Sequence, residues 1–177
     1  MSAHIREATR TDAPSIARVH IDSWRATYRG IVADHVLDSL DYNVRAEYWQ
    51  DLLSNPERKQ SSFTLVAEVE GQIAGFADGG QERQNESGFD AELFAIYILP
   101  HRLRMGIGRR LLYEIAARMA AAGHRSLVVR VLASNPSRQF YERLGARLVH
   151  KSQIEIGGDT LELIAYGWYD LDSIQVP

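Results

Sequence analysis

Residues 96–112, IYILPHRLRMGIGRRLL, decide the fold. The apolar run that begins this stretch predicts a buried strand, Pro100 ends it, and a turn with Gly106 and Gly108 leads directly into a helix. Such a turn leaves main-chain N–H groups without partners at the positive end of the helix dipole, and glycine lets a phosphate approach them closely. The stretch therefore predicts an anion site, although a strand-to-helix turn that binds nothing has the same pattern.

The composition is that of an ordinary globular protein. The length of 177 residues predicts one domain, residues 1–177, and 45% hydrophobic with 24% charged residues is typical of a soluble chain. A formal net charge of -3 gives no general attraction to nucleic acid or to an anionic membrane. The sequence shows neither a signal-peptide pattern nor an apolar run of membrane-spanning length. We therefore expect a cytoplasmic protein that binds neither nucleic acid nor membrane.

Arginine, cysteine and histidine narrow the chemistry further. Four arginines flank the glycine turn, Arg102, Arg104, Arg109 and Arg110, and a planar guanidinium group suits phosphate oxygens, although some of the four would only solvate a helix face. The chain has no cysteine, which excludes thiolate metal sites, disulfides and a cysteine nucleophile. The six histidines include no pair at metal-ligand spacing on a helix, so we expect no metal site.

The patterns along the chain predict the element order β-α-α-β-β-β-α-β-α-β-β. Strands are expected at His4–Thr9, Phe63–Val69, Ile73–Gly79, Ala91–Leu99, Leu127–Leu132, Arg147–Ile156 and Thr160–Trp168. Helices are expected from Thr11-Asp12 to Gly30, over Val44–Leu53, from Ile107 to Gly123 and from Asn135-Pro136 to Gly145. Hairpin signals at Glu70-Gly71 and at Gly157-Gly158-Asp159 favour antiparallel neighbours. The predicted fold class is α/β (α+β), with a mixed, largely antiparallel central sheet flanked by helices.

Two common glycine-loop classes do not fit the turn. A dinucleotide-binding loop has a third glycine three residues after the second, where this chain has Leu111. A nucleotide-triphosphate loop continues with Gly-Lys-Ser/Thr, whereas Gly108 is followed by Arg109 and Arg110. The anion predicted at this turn is therefore neither a dinucleotide nor a nucleoside triphosphate.

The turn and its surroundings resemble the GCN5-related N-acetyltransferase (GNAT) superfamily, which has the acyl-CoA N-acyltransferase fold. In that family a loop Gln/Arg-x-x-Gly-x-Gly/Ala binds the pyrophosphate of acetyl-CoA; Gly106 and Gly108 match it, and Leu103 stands where Gln or Arg is usual. A second family signature resembles residues 135–145, NPSRQFYERLG, whose Asn-to-Tyr spacing is one residue shorter than the commonest form. The resemblance covers about residues 63–146, and SWRATYRG at 23–30 is similar to one branch of the family.

The resemblance implies acetyl-CoA as co-substrate and assigns its contacts. Main-chain groups of Ile96, Tyr97 and Ile98 would pair with the pantetheine arm as an added strand, and one of their N–H groups would polarise the thioester carbonyl. Asn135 would hydrogen-bond the pantetheine or, alternatively, cap the helix that begins at Pro136. The loop that holds the pyrophosphate would consist of Leu103, Arg104, Met105, Gly106, Ile107, Gly108 and Arg109.

Catalytic roles also follow from the resemblance. Tyr141, besides contacting the co-substrate, would be the general acid for the departing thiolate, because a phenol stays protonated at neutral pH; alternatively it only packs in an apolar stripe. Glu92, near the start of an apolar strand, would be the base for the attacking amine or simply a solvated strand end. Trp24 and Tyr28, one helical turn apart, would wall the acceptor pocket or belong to the core.

The function implied is an N-acetyltransferase. It would move acetyl from acetyl-CoA to a primary amine of a small molecule or of a peptide N-terminus, by direct attack in a ternary complex, because the chain offers no cysteine for an acyl-enzyme. Acidic residues in or next to the polar segment Glu82–Gly88, which is expected to be a loop, would attract a cationic amine or be merely solvated; they are Glu82, Glu86 and Asp90. The alternative from another class is a non-catalytic acyl-CoA-binding or sensing domain. A homodimer is possible, since dimers are common in the resembled family.

Overall fold

A computed structural model of the chain describes residues 3–86 and 88–174. The strands are β1 (His4–Glu7), β2 (Ser62–Val69), β3 (Gln72–Gln81), β4 (Ala91–Ile98), β5 (Leu127–Leu132), β6 (Arg147–Ile156) and β7 (Asp159–Trp168). The helices are α1 (Ala13–Tyr28), α2 (Asp34–Asp38), α3 (Tyr42–Ser54), α4 (Arg58–Ser61), α5 (Ile107–Ala121) and α6 (Arg138–Arg143). Short 3₁₀ turns lie at Arg10–Asp12, Pro100–Arg102 and Leu171–Ser173.

The described strands form one sheet in the order β1-β2-β3-β4-β5-β7-β6. Every neighbouring pair is antiparallel except β4 and β5, which are parallel. The prediction of a mixed, largely antiparallel sheet flanked by helices is therefore confirmed. The strand at His4–Glu7 lies at one edge of the sheet.

Helices cover both faces of the sheet. On one face α5 buries the apolar stripe that its helical spacing predicts, with Leu111, Ile115 and Met119 fully buried against the strands. On the other face α1 and α3 pack together and bury Ile16 and Trp49 against the sheet. The burial of these apolar side chains between helices and sheet is the main source of stability for such a layered domain.

Several element boundaries differ from the predicted ones by a few residues, and for β1 and α6 the reason is a local hydrogen bond. β1 ends at Glu7 rather than Thr9, because the Thr9 N–H donates to Asp12 Oδ2 at 2.7 Å and begins the 3₁₀ turn. α6 begins at Arg138 rather than at Asn135, because Asn135 Oδ1 accepts from the Ser137 N–H at 2.8 Å and holds a turn there. The short helices α2 and α4 were not predicted, since four or five residues show no helical period.

Candidate active site

The parallel strands β4 and β5 are paired over only three rungs, which join residues 91–93 to residues 127–129. A β-bulge follows in β4: Gly79 of β3 pairs with Leu93 and Asp78 pairs with Ala95, which makes Phe94 the extra residue. Beyond the bulge the described residues contain no further rung between β4 and β5, while β5 continues against β7. The two strands therefore diverge and leave a gap in the middle of the sheet.

Main-chain groups of β4 face this gap at alternate residues. The Leu99 N–H donates to the Ala74 carbonyl at 2.8 Å, so the antiparallel alternation directs the main chain of Tyr97 to β3 and that of Ile96 and Ile98 into the gap. The Ile98 carbonyl accepts from Ser23 Oγ at 2.9 Å. Among the three residues predicted to pair with a bound strand-like ligand, Ile96 and Ile98 thus present main-chain groups to it, whereas those of Tyr97 are used within the sheet.

The N-terminus of α5 lies beside the end of β4. Gly106 is its N-cap residue, with φ 76° and no side-chain cap, and the first intrahelical bond runs from the Arg110 N–H to the Gly106 carbonyl at 3.1 Å. The N–H groups of residues 106–109 therefore have no acceptor within the helix. A Cβ at Gly108 would lie 3.2 Å from Ile98 Cδ1, so glycine permits the helix to approach the strand this closely.

This helix end fits a diphosphate. Its main-chain donors and the positive end of the helix dipole are directed to the same point. Leu103, Arg104 and Met105 form an exposed approach to it, and Arg104 adopts a left-handed conformation with φ 62°. Leu103, where the family has Gln or Arg, is exposed, and the donors at the helix end are main-chain groups that its side chain does not affect.

Three tyrosine hydroxyls, those of Tyr28, Tyr97 and Tyr141, come close together near the gap. The Trp24 Nε1–H donates to Tyr97 Oη at 2.9 Å, and Asn135 Nδ2 donates to Tyr28 Oη at 3.0 Å. Burial raises the pKa of Tyr141 well above the ordinary phenol value, and the nearby Tyr28 contributes in the same direction. The phenol of Tyr141 is therefore protonated at neutral pH and is a hydrogen-bond donor or a proton donor.

Trp24, Tyr28 and Asn135 have roles within the fold as well. The rings of Trp24 and Tyr28 pack edge to face with centroids 4.9 Å apart, and Tyr28 is buried. Both polar atoms of the Asn135 side chain have partners, in Tyr28 and in the Ser137 N–H. The capping alternative for Asn135 is thus seen in the structure, while its contact with pantetheine stays a prediction.

Glu92 lies in a buried ionic network rather than at an open strand end. Arg83 donates to both of its carboxylate oxygens, at 2.9 and 3.1 Å, and Arg130 Nη1 lies 3.0 Å from Oε1. Arg130 also pairs with Glu82 at 2.7 Å and lies 3.5 Å from Glu86. Oε1 of Glu92 thus contacts the guanidinium groups of both Arg83 and Arg130, and Oε2 contacts that of Arg83. The solvated-end alternative for Glu92 is wrong, because the residue is only 3% exposed.

A cavity of about 460 Å³ lies on the face of the sheet covered by α1 and α3. Phe94 and Ala95 of the β4 bulge form part of its wall, so it reaches the place where β4 and β5 begin to diverge. Its other walls come from α1, α3 and the region around Arg58, Asp78 and Glu82. Glu92 does not line this cavity; Arg83, whose guanidinium stacks over the Phe94 ring at 3.9 Å, lies between them.

His20 joins the cavity to the tyrosine cluster. It lines the cavity, and its ring lies 5.1 Å from that of Tyr97, centroid to centroid. Burial, helped by the nearby charge of Arg45, lowers the pKa of His20 to about 3. The imidazole is therefore neutral at physiological pH, and its buried Nδ1 has no hydrogen-bond partner among the described residues.

Sequence reasoning missed several residues of this region. Arg130 stands alone inside the apolar strand LVVRVL, and Asp78 inside the small-residue strand GFADGG; a single charge in such a run is the signal that a buried partner exists. Asp78 accepts from Arg58 Nη2 at 2.6 Å and from Thr64 Oγ1 at 2.7 Å. No local signal identifies His20 as a cavity residue, since apart from Trp24 on the same helix its ring neighbours, such as Trp49 and Phe76, come from other elements.

The described residues provide neither a cluster of metal ligands nor a helix suited to crossing a membrane. Residues 3–86 and 88–174 contain no group of three or more potential metal ligands placed to hold an ion. None of the helices in these ranges combines the length and apolar character that a bilayer crossing requires.

The diverging central strands, with an uncapped helix N-terminus beside them, define the acyl-CoA N-acyltransferase fold. A sequence profile of the acetyltransferase (GNAT) family matches residues 22–146, and the chain belongs to this family. It is 36% identical to the uncharacterized N-acetyltransferase YuaI of Bacillus subtilis over 171 residues, which cover 97% of this chain and 95% of the relative. The predicted family is therefore confirmed, and the chain is an N-acetyltransferase of this family.

Two further relatives have named acceptors. The phosphinothricin N-acetyltransferase of Streptomyces viridochromogenes is 31% identical over 64% of each chain. The spermidine N(1)-acetyltransferase of Thermoplasma acidophilum is 28% identical over 70% of this chain and 74% of the relative. The two names belong to chemically different amines, so the relatives leave the acceptor of this chain open.

Solved structures share the fold. The PaiA N-acetyltransferase of Thermoplasma acidophilum, in complex with coenzyme A, superposes with a TM-score of 0.74 at 22% identity, over 92% of this chain and 98% of that one. YncA of Salmonella typhimurium, solved with acetyl-CoA, superposes with a TM-score of 0.72 at 22% identity, over 100% and 98% of the two chains. At these identities the likeness establishes the fold.

Proposed function

We propose that the protein transfers the acetyl group of acetyl-CoA to a primary amine of a small molecule, by direct attack of the amine in a ternary complex. The observation that carries the proposal is the gap between β4 and β5, which exposes main-chain groups of Ile96 and Ile98 and lies beside the uncapped N-terminus of α5. Such a gap accepts an extended ligand with amide groups, and such a helix end accepts its diphosphate. Both are parts of coenzyme A.

The pantetheine arm would lie in the gap. Ile96 and Ile98 would pair with its amides, and the loop 103–109 would hold the diphosphate through main-chain N–H groups, supported by the exposed side chains of Arg104 and Arg109. An N–H at the β4 bulge would donate to the thioester carbonyl as negative charge develops on its oxygen. The relatives solved with coenzyme A or acetyl-CoA support the choice of co-substrate.

Proton transfer balances the reaction. The amine nitrogen forms a bond to the carbonyl carbon, the carbon–sulfur bond breaks, and Tyr141 donates its phenolic proton to the departing thiolate. Before attack the ammonium group loses one proton to a base, for which Glu92, acting through water, stays the prediction; after attack the nitrogen loses its second proton, which returns through solvent to the phenolate of Tyr141. The reaction thus releases one net proton and returns Tyr141 to its phenol form, and the sequence offers no cysteine for an acyl-enzyme.

The acceptor enters through the cavity beside the bulge. A volume of about 460 Å³ is in the range of small-molecule sites, which favours a small amine over a peptide N-terminus. Trp24 and Tyr28, predicted to wall the acceptor pocket, do not line this cavity; Trp24 donates to Tyr97 Oη at 2.9 Å, and the Tyr97 ring lies 5.1 Å from that of His20, which does line it. We keep the cytoplasm as the proposed location and a single domain as the proposed organisation.

Initial rates of coenzyme A release, measured as free thiol while both substrates are varied, test the proposal. A ternary complex predicts intersecting double-reciprocal lines and no thiol burst in the absence of amine. Parallel lines would indicate a covalent acyl-enzyme and contradict direct attack. Tight binding of acetyl-CoA without amine-dependent thiol release would instead favour the alternative of a binding or sensing domain, which no structural observation supports at present.

A further inference from the structure

The α3 wall of the cavity carries polar groups that the protein leaves unmatched. Arg45 and Trp49 lie four residues apart on α3, hence on one helix face, and both line the cavity. Among the described residues Arg45 has no carboxylate within ion-pair distance; its guanidinium lies over the Tyr48 ring, 5.5 Å from the centroid. The Trp49 indole N–H is buried and has no acceptor in the part of the chain described.

The carboxylates at the same cavity are, in contrast, already matched. Asp78 is paired with Arg58, Nη2 to Oδ1 at 2.6 Å, and Glu82 with Arg130 at 2.7 Å. Neither of these two carboxylates is therefore free to pair with a second cation that enters the cavity. An anion would find Arg45, which is half-buried and so only partly screened by water.

We infer that the acceptor is an amine that also carries a carboxylate, as a free amino acid does, and that Arg45 and Trp49 bind this carboxylate. This inference rests on the proposed acetyl transfer at the β4 bulge. Both α3 side chains are donors without acceptors, and two donors on one helix face suit the two oxygens of a carboxylate. Trp49 and Phe94 supply an apolar wall for the remainder of a small acceptor.

The geometry also separates the amine from the carboxylate. Arg45 and Trp49 belong to α3, whereas the thioester would lie at the bulge of β4, on the wall formed by Phe94 and Ala95. A small acceptor bound by its carboxylate to α3 would span the cavity and direct its amine toward the bulge. Holding the reacting groups in this way contributes to the rate by orientation. A polyamine such as spermidine has no group that Arg45 would bind.

Matched acceptors test the inference. The probes are the standard L-amino acids, the carboxamide of each amino acid that is acetylated, and spermidine, all assayed by thiol release from acetyl-CoA. We expect kcat/KM for the free acid to exceed that for its carboxamide by about tenfold or more, because removing the charge leaves Arg45 without a partner in the complex. The difference should lie mainly in KM.

Variants assign the preference to α3. Arg45→Gln should reduce the ratio of acid to amide about tenfold, Arg45→Lys should retain part of it, and Trp49→Phe should raise KM for the acid while keeping the ring. Arg147→Gln, which removes an exposed positive charge on β6, should leave the ratio unchanged.

Turnover of carboxamides or spermidine as efficient as that of the acids would overturn the inference alone, as would an unchanged ratio in Arg45→Gln. Absence of thiol release with every amine, spermidine included, would overturn the proposed transferase activity and the inference together.

Discussion

The side-chain amide of Asn135 donates to the hydroxyl of Tyr28 at 3.0 Å and thereby joins the turn before α6 to the end of α1, 107 residues away in sequence. Both residues are buried, and the Asn135 carbonyl oxygen caps the turn through the Ser137 N–H. The contact therefore holds together two elements that flank the gap between β4 and β5.

Removing either partner should destabilise the protein. Tyr28→Phe leaves a buried amide N–H without a partner, and Asn135→Ala loses the cap as well, so each should lower the free energy of unfolding by about 1–2 kcal/mol. Urea unfolding of both single variants and of the double variant measures the coupling, which we expect to exceed ~0.5 kcal/mol. Strictly additive effects would show that the two side chains act independently.

Tyr141 is expected to act in the chemical step. Tyr141→Phe should lower kcat by about 10²-fold, the usual contribution of a general acid, while the Kd for acetyl-CoA stays within about twofold. Tyr113→Phe, which removes a hydroxyl from a buried tyrosine of α5, is the matched control and should leave kcat unchanged. If the two variants gave equal kcat values, Tyr141 would be a packing residue only.

Substitutions of two glycines near opposite ends of α5 distinguish an effect on ligand binding from an effect of backbone strain. Gly106 and Gly123 have φ values of 76° and 95°, and a Cβ at either position meets nothing within 4 Å. Replacing each by Ala should therefore cost a similar free energy of unfolding, about 1 kcal/mol. Because only Gly106 lies at the N-terminus, Gly106→Ala alone should weaken acetyl-CoA binding, by about five- to tenfold in titration calorimetry. Equal affinities in the two variants would remove the helix end from the binding site.

Removing Arg130, the central cation of the buried ionic network, should lower the free energy of unfolding strongly. Arg130 is 8% exposed at its side chain and contacts both Glu82 and Glu92, so Arg130→Leu leaves buried carboxylates uncompensated. We expect a loss of about 3–5 kcal/mol in the free energy of unfolding. Arg29→Leu breaks ion pairs to Asp34 and Asp38 that are exposed to solvent, and it should change stability little. Comparable losses in the two variants would contradict the network's importance.

Glu92→Gln tests whether this network also supplies the base. If Glu92 takes the proton of the attacking amine, kcat per folded molecule falls and its acid-limb pH dependence changes; if Glu92 only anchors Arg83 and Arg130, stability falls and kcat is retained. The two readouts are independent, because one is normalised to folded protein and the other is unfolding itself.

His20 predicts a pH-dependent contribution to stability. Its pKa is lowered to about 3 in the fold, chiefly by burial, whereas the unfolded chain has the ordinary value of 6.5. Below pH 6.5 the unfolded state therefore binds a proton that the folded state does not, and stability is lost as the pH falls from 6.5 toward 3. Between pH 7 and 4.5 the wild type should lose about 2 kcal/mol more than His20→Asn. Parallel pH profiles would show that folding does not lower the pKa of His20.

The sequence was sufficient for those parts of the structure that depend on local patterns. The apolar periodicity of α5, the turn at Gly106 and the run of hairpin strands each follow from residues close together in the chain, and the order of these elements matches the predicted one. The short α2 escaped prediction because five residues do not reveal a helical period.

Much of the candidate site depends instead on tertiary contacts. In the sequence Glu92 is a lone acid near the start of an apolar strand, since its partners Arg83 and Arg130 lie on other segments. The main-chain direction of Tyr97 depends on its register with β3, which a single strand does not specify. No sequence pattern identifies Arg45 as a binding residue, because its proposed role depends on which carboxylates of the cavity are already paired.

The most direct test of the account is the product balance of one reaction. Wild-type protein is incubated with acetyl-CoA and an amine acceptor, and free thiol and acetylated amine are quantified together by absorbance and mass spectrometry. We expect equal amounts of the two products, both dependent on the amine and both strongly reduced in Tyr141→Phe. Thiol release that is independent of the amine, or no acetylated product with any acceptor, would contradict it.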